Sequence, residues 1–222
     1  LESRITNLGT MFIGHEAVGF AGKPAAPRMS LGTLMLAATW LDLVWPIFLL
    51  LGIEHVRVRG GSNPFLIFDF YDYPWTHSMV TALGWSIAFA AVYFAVTRYA
   101  RGAVIAAIAV FSHWFLDFIT HIPDLPLWPG GPLVGLGLWK SVAATVAVEV
   151  LLLAIGVFVY ARHTRVRPVA LAIFVAFLLA VYSANFFSPP PPSQTAIGWG
   201  GLLGWLIPLW AWLIDRRREA RA

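Results

Sequence analysis

Residues 102–121 read GAVIAAIAVFSHWFLDFITH. From Gly102 to Phe111 no side chain is polar, and beyond that point only Ser112, His113, Asp117, Thr120 and His121 break an apolar background. An apolar run of about 20 residues has the length of a membrane-spanning helix. A charged group near the centre of such a helix costs roughly 2.5–3.5 kcal/mol, so an intramembrane histidine or aspartate needs a partner or a purpose. His113, Asp117 and His121 are spaced i, i+4, i+8. On a regular helix they share one face, with neighbours about 5–6 Å apart at Cβ. The stretch therefore predicts a spanning helix that carries an imidazole–carboxylate–imidazole stripe.

The rest of the chain has the same character. Of 222 residues 59% are hydrophobic and 12% charged, and the mean hydropathy is +0.74. A soluble domain carries about twice that share of charge, so the composition excludes a cytosolic enzyme and a disordered chain. The apolar runs are continuous rather than alternating, which argues against a β-barrel. Spans are expected at Leu31–Gly52, Ser78–Thr97, Gly102–Thr120, Trp139–Tyr160, Val169–Phe187 and Ile197–Ile214. The expected fold is thus all-α, an integral membrane bundle of about six transmembrane helices. Met11–Ala21 is too short to cross and predicts a re-entrant or interfacial helix. Residues 1–10 are polar and read as an N-terminal extension without ordered structure, and residues 11–222 as one transmembrane domain with no internal repeat. Pro189–Pro192 is a stiff polyproline spacer between two spans.

Basic residues set the orientation. Arg4, Lys23, Arg28, Arg98, Arg101, Arg162, Arg165, Arg167, Arg216, Arg217, Arg218 and Arg221 fall on one side, and Arg57, Arg59 and Lys140 on the other. The positive-inside rule then places both termini of this multi-pass protein in the cytoplasm. The net charge of +4 follows topology rather than nucleic-acid binding. The absence of cysteine excludes a disulfide framework, a thiolate zinc site and a cysteine nucleophile.

Other polar residues gather near the end of the 102–121 span. Span two opens with Asp69-Phe70-Tyr71-Asp72-Tyr73-Pro74-Trp75-Thr76-His77-Ser78, which puts His77 at the depth of His121. Pro123 ends the third span and frees Asp124 to turn back. Asp42 lies mid-way along the first span. His113 with Asp117 pairs as ligands for one ion, and Asp117 with His121 for a second, with Asp117 bridging. His15, in Gly14-His15-Glu16, sits on the opposite side unless its segment re-enters. Glu54-His55 and Glu149 are lesser candidates. The competing reading of the same stripe is a hydrogen-bonded network that locks the bundle or relays protons.

At these residues the chain resembles the YdjM-like bacterial inner-membrane metal-dependent hydrolases. The resemblance rests on Gly14-His15, Asp42 in the first span, Thr76-His77-Ser78 opening the second and Ser112-His113-x-x-x-Asp117 in the third. It covers roughly residues 11–124. It implies a metal site and hydrolysis, with His15, Asp42, His77, His113 and Asp117 as ligands. The family's first-span motif often has a Pro before the Asp and a second Asp two residues on, whereas this chain reads Trp40-Leu41-Asp42-Leu43-Val44.

The expected function is a membrane-embedded metal-dependent hydrolase. Imidazole and carboxylate donors suit a divalent transition metal, Zn²⁺ first and Mn²⁺ or Fe²⁺ next. The metal set is His15, Asp42, His77, His113, Asp117 and His121, with Asp124 or Asp72 as general base. The expected substrate is a lipid or other amphiphilic ester or phosphoester in the outer half of the membrane, under the rim Trp128–Pro132. Arg57, Arg59 or Lys140 would hold an anionic head group. The expected partners are membrane lipids, with membrane-complex subunits as a further class and no nucleic acid. A proton-coupled transporter and a non-catalytic accessory subunit are the alternatives.

Overall fold

The computed structural model describes residues 13–216. The expected N-terminal extension, Arg4, Arg217, Arg218 and Arg221 lie outside the described residues. The fold is helical, with two small hairpins at one end. The elements are α1 Ile13–Ala21, α2 Leu31–Ala38, α3 Trp40–Leu50, β1 His55–Val58, β2 Phe68–Asp72, α4 Pro74–His77, α5 Met79–Thr97, α6 Ala100–Thr120, β3 Leu125–Pro126, β4 Leu133–Val134, α7 Val142–His163, α8 Pro168–Phe187, α9 Gln194–Gly201 and α10 Leu206–Arg216. A 3₁₀ turn at Leu202–Trp205 joins α9 to α10 into one span, and another at Leu138–Lys140 precedes α7.

Five segments are long and apolar enough to cross a membrane, and a sixth is counted if α2 and α3 form one span bent by 58°. Their starts follow local rules. Ser30, Ser78, Ser141 and Ser193 each accept a backbone N–H three residues on, as N-caps do, and Pro168 opens α8 at a position where its missing N–H is harmless. The outward faces are apolar: Ile87, Val92 and Val96 on α5, Val104 and Ile108 on α6, Leu151 and Phe158 on α7, Val169 and Ile173 on α8 are all exposed. In water such a surface would be an aggregation site, whereas in hydrocarbon it is the natural exterior.

The short helix α1 occupies the interior rather than an interface. Ile13, Gly14, His15, Glu16, Ala17, Gly19 and Phe20 are all buried, and α1 packs on α2, α6, α7 and α8. The approach to α7 is close. A Cβ on Gly156 would lie 2.5 Å from the carbonyl oxygen of Ala17, so only glycine allows the contact. At the far end of α1 the buried Lys23 ammonium donates to Met29 O at 2.6 Å and to Asp215 Oδ2 at 2.7 Å. Tyr160 OH and the Leu31 N–H also donate to Asp215. That clasp ties the end of the last span to α7 and to the α1–α2 connection.

The first span is broken at Thr39, where φ −106° and ψ 11° leave the helical region. Pro46 inside α3 has no N–H to offer the carbonyl four residues before it, that of Asp42. Beyond α3, β1 and β2 pair antiparallel with His55 opposite Asp72 and Val58 opposite Phe68. The second hairpin pairs Leu125 with Val134. Both lie at the end of the bundle where α3 and α6 finish and α5 begins.

A candidate metal centre inside the bundle

Five side chains from four elements meet at one point. His15 comes from α1, Asp42 from α3, His77 from α4, and His113 and Asp117 from α6. His15 Nε2 lies 3.1 Å from Asp117 Oδ1. His77 Nε2 lies 3.3 Å from Asp42 Oδ1 and 3.9 Å from Asp117 Oδ2. His113 Nε2 lies 3.5 Å from Asp42 Oδ1 and 3.4 Å from Asp117 Oδ2. The rings of His15 and His113 stack with centroids 3.7 Å apart. The ligand atoms form two triads, His15–His113–Asp117 and Asp42–His77–His113, each within 4.8 Å. His113 Nε2 serves both and has one lone pair, so the triads cannot be filled independently.

Hydrogen bonds at the other ring nitrogens fix the tautomers. His113 Nδ1 faces Ala38 O at 2.9 Å, a pure acceptor, so Nδ1 carries a proton. The break at Thr39 points that carbonyl at α6. His77 Nδ1 lies 2.7 Å from Thr76 Oγ1, whose hydrogen goes to Glu54 Oε2 at 2.7 Å. His77 Nδ1 is therefore the donor of that pair. In the neutral rings both Nε2 atoms present a bare lone pair to carboxylate oxygens. A lone pair facing a carboxylate in a buried site calls for a metal ion between them, or for a second ring proton that turns the contact into a hydrogen bond. Donors held about 2.1 Å from a tetrahedral zinc stand about 3.4 Å from one another. The separations of 3.3–3.5 Å that His113 makes to both carboxylates and His77 makes to Asp42 fit that spacing better than the 2.7–2.9 Å of a charge-assisted hydrogen bond, whereas His15 and Asp117 stand at 3.1 Å. His113 Nε2 and Asp117 Oδ2 are both buried and neither has a hydrogen-bond partner. The donor set therefore fits a divalent transition metal.

The supporting shell is built from Glu54. Its buried carboxylate accepts from Trp75 N at 2.7 Å, Thr76 N at 2.8 Å and Thr76 Oγ1. Burial pushes the Glu54 carboxyl above the usual range, opposed by those hydrogen bonds and by His77. Glu54 and Thr76 are thus positioning residues for His77, a role that sequence alone did not assign to them. The signal available was Glu54 at the end of the first apolar run, where an acid has no call to be buried.

The remaining expected residues sit elsewhere. α6 ends at Thr120, and His121 is extended with φ −60° and ψ 146°. The helical stripe therefore breaks one residue short, because Pro123 disfavours helical geometry at the position before it and the chain turns early. His121 Nδ1 pairs with Asp124 Oδ1 at 2.9 Å, and its ring packs on Trp139 with centroids 4.1 Å apart. His121 lines the cavity beside the cluster but is not among the five side chains that meet. The residue common to the two triads is His113, whereas the spacing put Asp117 in the bridging place; Asp117 meets His15 and His113, and not His121, in one triad. Asp124 turns back as expected, but toward His121. Asp72 pairs with His55 at 2.7 Å on the β1–β2 hairpin, and neither lines the cavity. Arg59 pairs with Asp69 at 2.8 Å and the Arg57 guanidinium covers the Tyr71 ring at 4.0 Å, and neither these two nor Lys140 lines the cavity. Glu149 is buried on α7 facing Ile13 and Tyr182. Sequence reading passed over Glu16, which is 2% exposed, lines the cavity and has an Oε2 with no hydrogen-bond partner.

The cluster opens on a cavity of about 250 Å³. Asp42 keeps 39% of its side chain open to that space, whereas the His113 side chain is fully buried. Phe70, Tyr73, His121 and Trp139 roof the cavity toward the hairpin end, and all four are buried. Burial, with Asp124, Asp117 and Glu54 nearby, raises the Tyr73 phenol well above its ordinary value, so the hydroxyl stays protonated and donates to Asp124 O at 3.2 Å. Comparison with family models, curated proteins and solved structures finds no match.

Proposed function

We propose that the protein is a membrane-embedded metal-dependent hydrolase of the bacterial inner membrane, acting on an amphiphilic ester or phosphoester. One observation carries the reading: two histidines whose tautomers leave bare Nε2 atoms facing Asp42 and Asp117 at ligand-to-ligand spacing. The resemblance to YdjM-like hydrolases points to the same five residues. When bound, a divalent metal supplies Lewis acidity and a water that ionises near neutral pH. His113, Asp117 and His15 would hold it from the buried side, and His77 from α4. Asp42, the most open ligand, faces the space where a substrate head group would lie. Glu16 borders the same space with a carboxylate oxygen that nothing else occupies, which suits it better than Asp72 or Asp124 to accept a proton there.

Metal analysis of protein purified in mild detergent tests the proposal. The expected result is a stoichiometric transition metal in the wild type and less than a tenth of it in His113→Ala and Asp117→Ala. Protein that stays metal-free after incubation with Zn²⁺ and Mn²⁺ would return the cluster to the hydrogen-bonded network reading.

A further inference from the structure

The cavity does not end at the polar cluster. Its far wall is formed by Phe177 and Val181 of α8, and by Leu203, Gly204, Leu206 and Ile207 at the 3₁₀ break of the last span. Leu203 is 50% and Leu206 54% exposed, so the wall they form is also part of the outer surface. Phe177 and Leu203 lie near the middle of Pro168–Phe187 and Gln194–Asp215, which puts this opening near the bilayer midplane. The cluster sits closer to one membrane face, because Asp117 is three residues from the C-terminal end of α6. The polar end of the cavity and its apolar wall thus lie at different depths, Asp117 near the end of one span and Phe177 and Leu203 near the middle of two others.

The surrounding contacts mark the opening. On one side of it, Phe174 and Phe177 pack against Trp210 with centroids 5.4 and 4.8 Å apart. On the other, Phe65 packs against Tyr182 and Phe186 at 6.3 and 5.6 Å. α9 is pressed against α3, where a Cβ on Gly201 would meet Pro46 at 2.5 Å, so that seam is shut. Between these contacts the lining side chains, Val181, Leu203, Leu206 and Ile207, are all apolar. The aqueous end is roofed by buried aromatic rings, as described above. About 250 Å³ is below the usual range for enclosing a whole organic ligand, roughly 300–1,000 Å³. It suffices for a head group and the start of one chain.

We propose that the cavity takes a membrane lipid sideways, with its polar head at the His–Asp cluster and a hydrocarbon chain leaving between α8 and the 3₁₀ break of the last span. A lipid of the leaflet nearer the cluster lies in this orientation already, head toward the surface and chain toward the midplane. The inference rests on the hydrolase reading only for the fate of the head group, since lipid capture needs no turnover.

The test uses the full chain in nanodiscs of dioleoyl phosphatidylglycerol and dioleoyl phosphatidylethanolamine. After transfer to mild detergent, native mass spectrometry counts the lipid retained. The wild type should keep one lipid. Val181→Trp and Leu206→Trp fill the mouth and should retain less than a tenth as much. Leu213→Trp, 46% exposed on α10 and outside the cavity, should retain the wild-type amount. Size-exclusion and thermal unfolding profiles matching wild type certify each variant as folded, and Leu206, already at the surface, tolerates the larger ring. A lipid-free wild type, full retention in both mouth variants, or equal loss in Leu213→Trp would each overturn the portal. Metal content measured on the same samples separates the two readings: lipid held without metal sinks the hydrolase reading alone, and metal held without lipid sinks the portal alone.

Discussion

Thr76 is the residue on which the orientation of His77 turns. Its hydroxyl donates to Glu54 and accepts from the Nδ1–H of His77, so one small side chain sets both the tautomer and the ring plane. Replacing it with the isosteric valine removes both bonds while keeping the volume. Loss of such an outer partner typically weakens metal affinity about 10–100-fold. Thr76→Val should show that loss in competition with a chromogenic chelator, and Thr76→Ser should restore most of the affinity. An affinity unchanged in Thr76→Val would mean that His77 needs no orienting partner. His121 makes the opposite case. Its sequence spacing from Asp117 marks it as a ligand, yet its ring is committed to Asp124 and Trp139. His121→Ala should leave the metal content at the wild-type level, where His113→Ala empties the site. The i+4 rule places His113 and Asp117 together because both lie within α6. It fails one step later because helix geometry stops at Thr120, and a spacing rule carries no information past a helix end.

At the scale of elements, α1 decides whether the site exists. It brings His15 to Asp117 from a segment too short to span, and it can do so only because Gly156 on α7 lets its backbone in. A methyl group at position 156 would lie 2.5 Å from a backbone carbonyl, which cannot move as a side-chain tip does. Overpacking of that kind costs about 1–3 kcal/mol. Gly156→Ala should therefore lower the thermal midpoint in detergent and weaken metal binding together, because the shift is passed to His15. A lower midpoint with intact metal affinity would separate α1 packing from the site. Sequence reading finds α1 as a short apolar segment and places it at an interface or re-entering, since length and hydropathy describe a segment without its neighbours. Similarly, Leu31–Gly52 reads as one continuous span. The break at Thr39 is invisible to hydropathy because the residues around it are apolar, yet it supplies the carbonyl that fixes His113. The long spans α5 to α8 are legible for the complementary reason: each is a single apolar run of 19–22 residues bounded by polar caps.

For the molecule as a whole, the fold makes the charge asymmetry of the loops testable in a new way. The five clustered side chains and both hairpins belong to the half of the bundle where α3 and α6 end. Three basic residues, Arg57, Arg59 and Lys140, lie at that end, whereas Arg98, Arg165 and Arg167 in the connections, and Arg101 and Arg162 in the adjoining turns of α6 and α7, lie at the other. A bias of this size sets orientation in multi-pass proteins, so the hairpin end, and with it the cluster and the lipid half-site, should face away from the cytoplasm. The cysteine-free sequence offers a clean background for the experiment. Ser62, exposed between β1 and β2, and His163, exposed at the end of α7, are each replaced by cysteine in turn. A membrane-impermeant maleimide added to intact cells should label Ser62→Cys and spare His163→Cys until the membrane is opened. The reverse pattern would put the cluster in the cytoplasmic leaflet. The geometry of the cluster would be unaffected, but under the proposed lipid entry the lipid reaching α8 and the last span would then come from the inner leaflet, and any substrate would have to be sought among lipids displayed there.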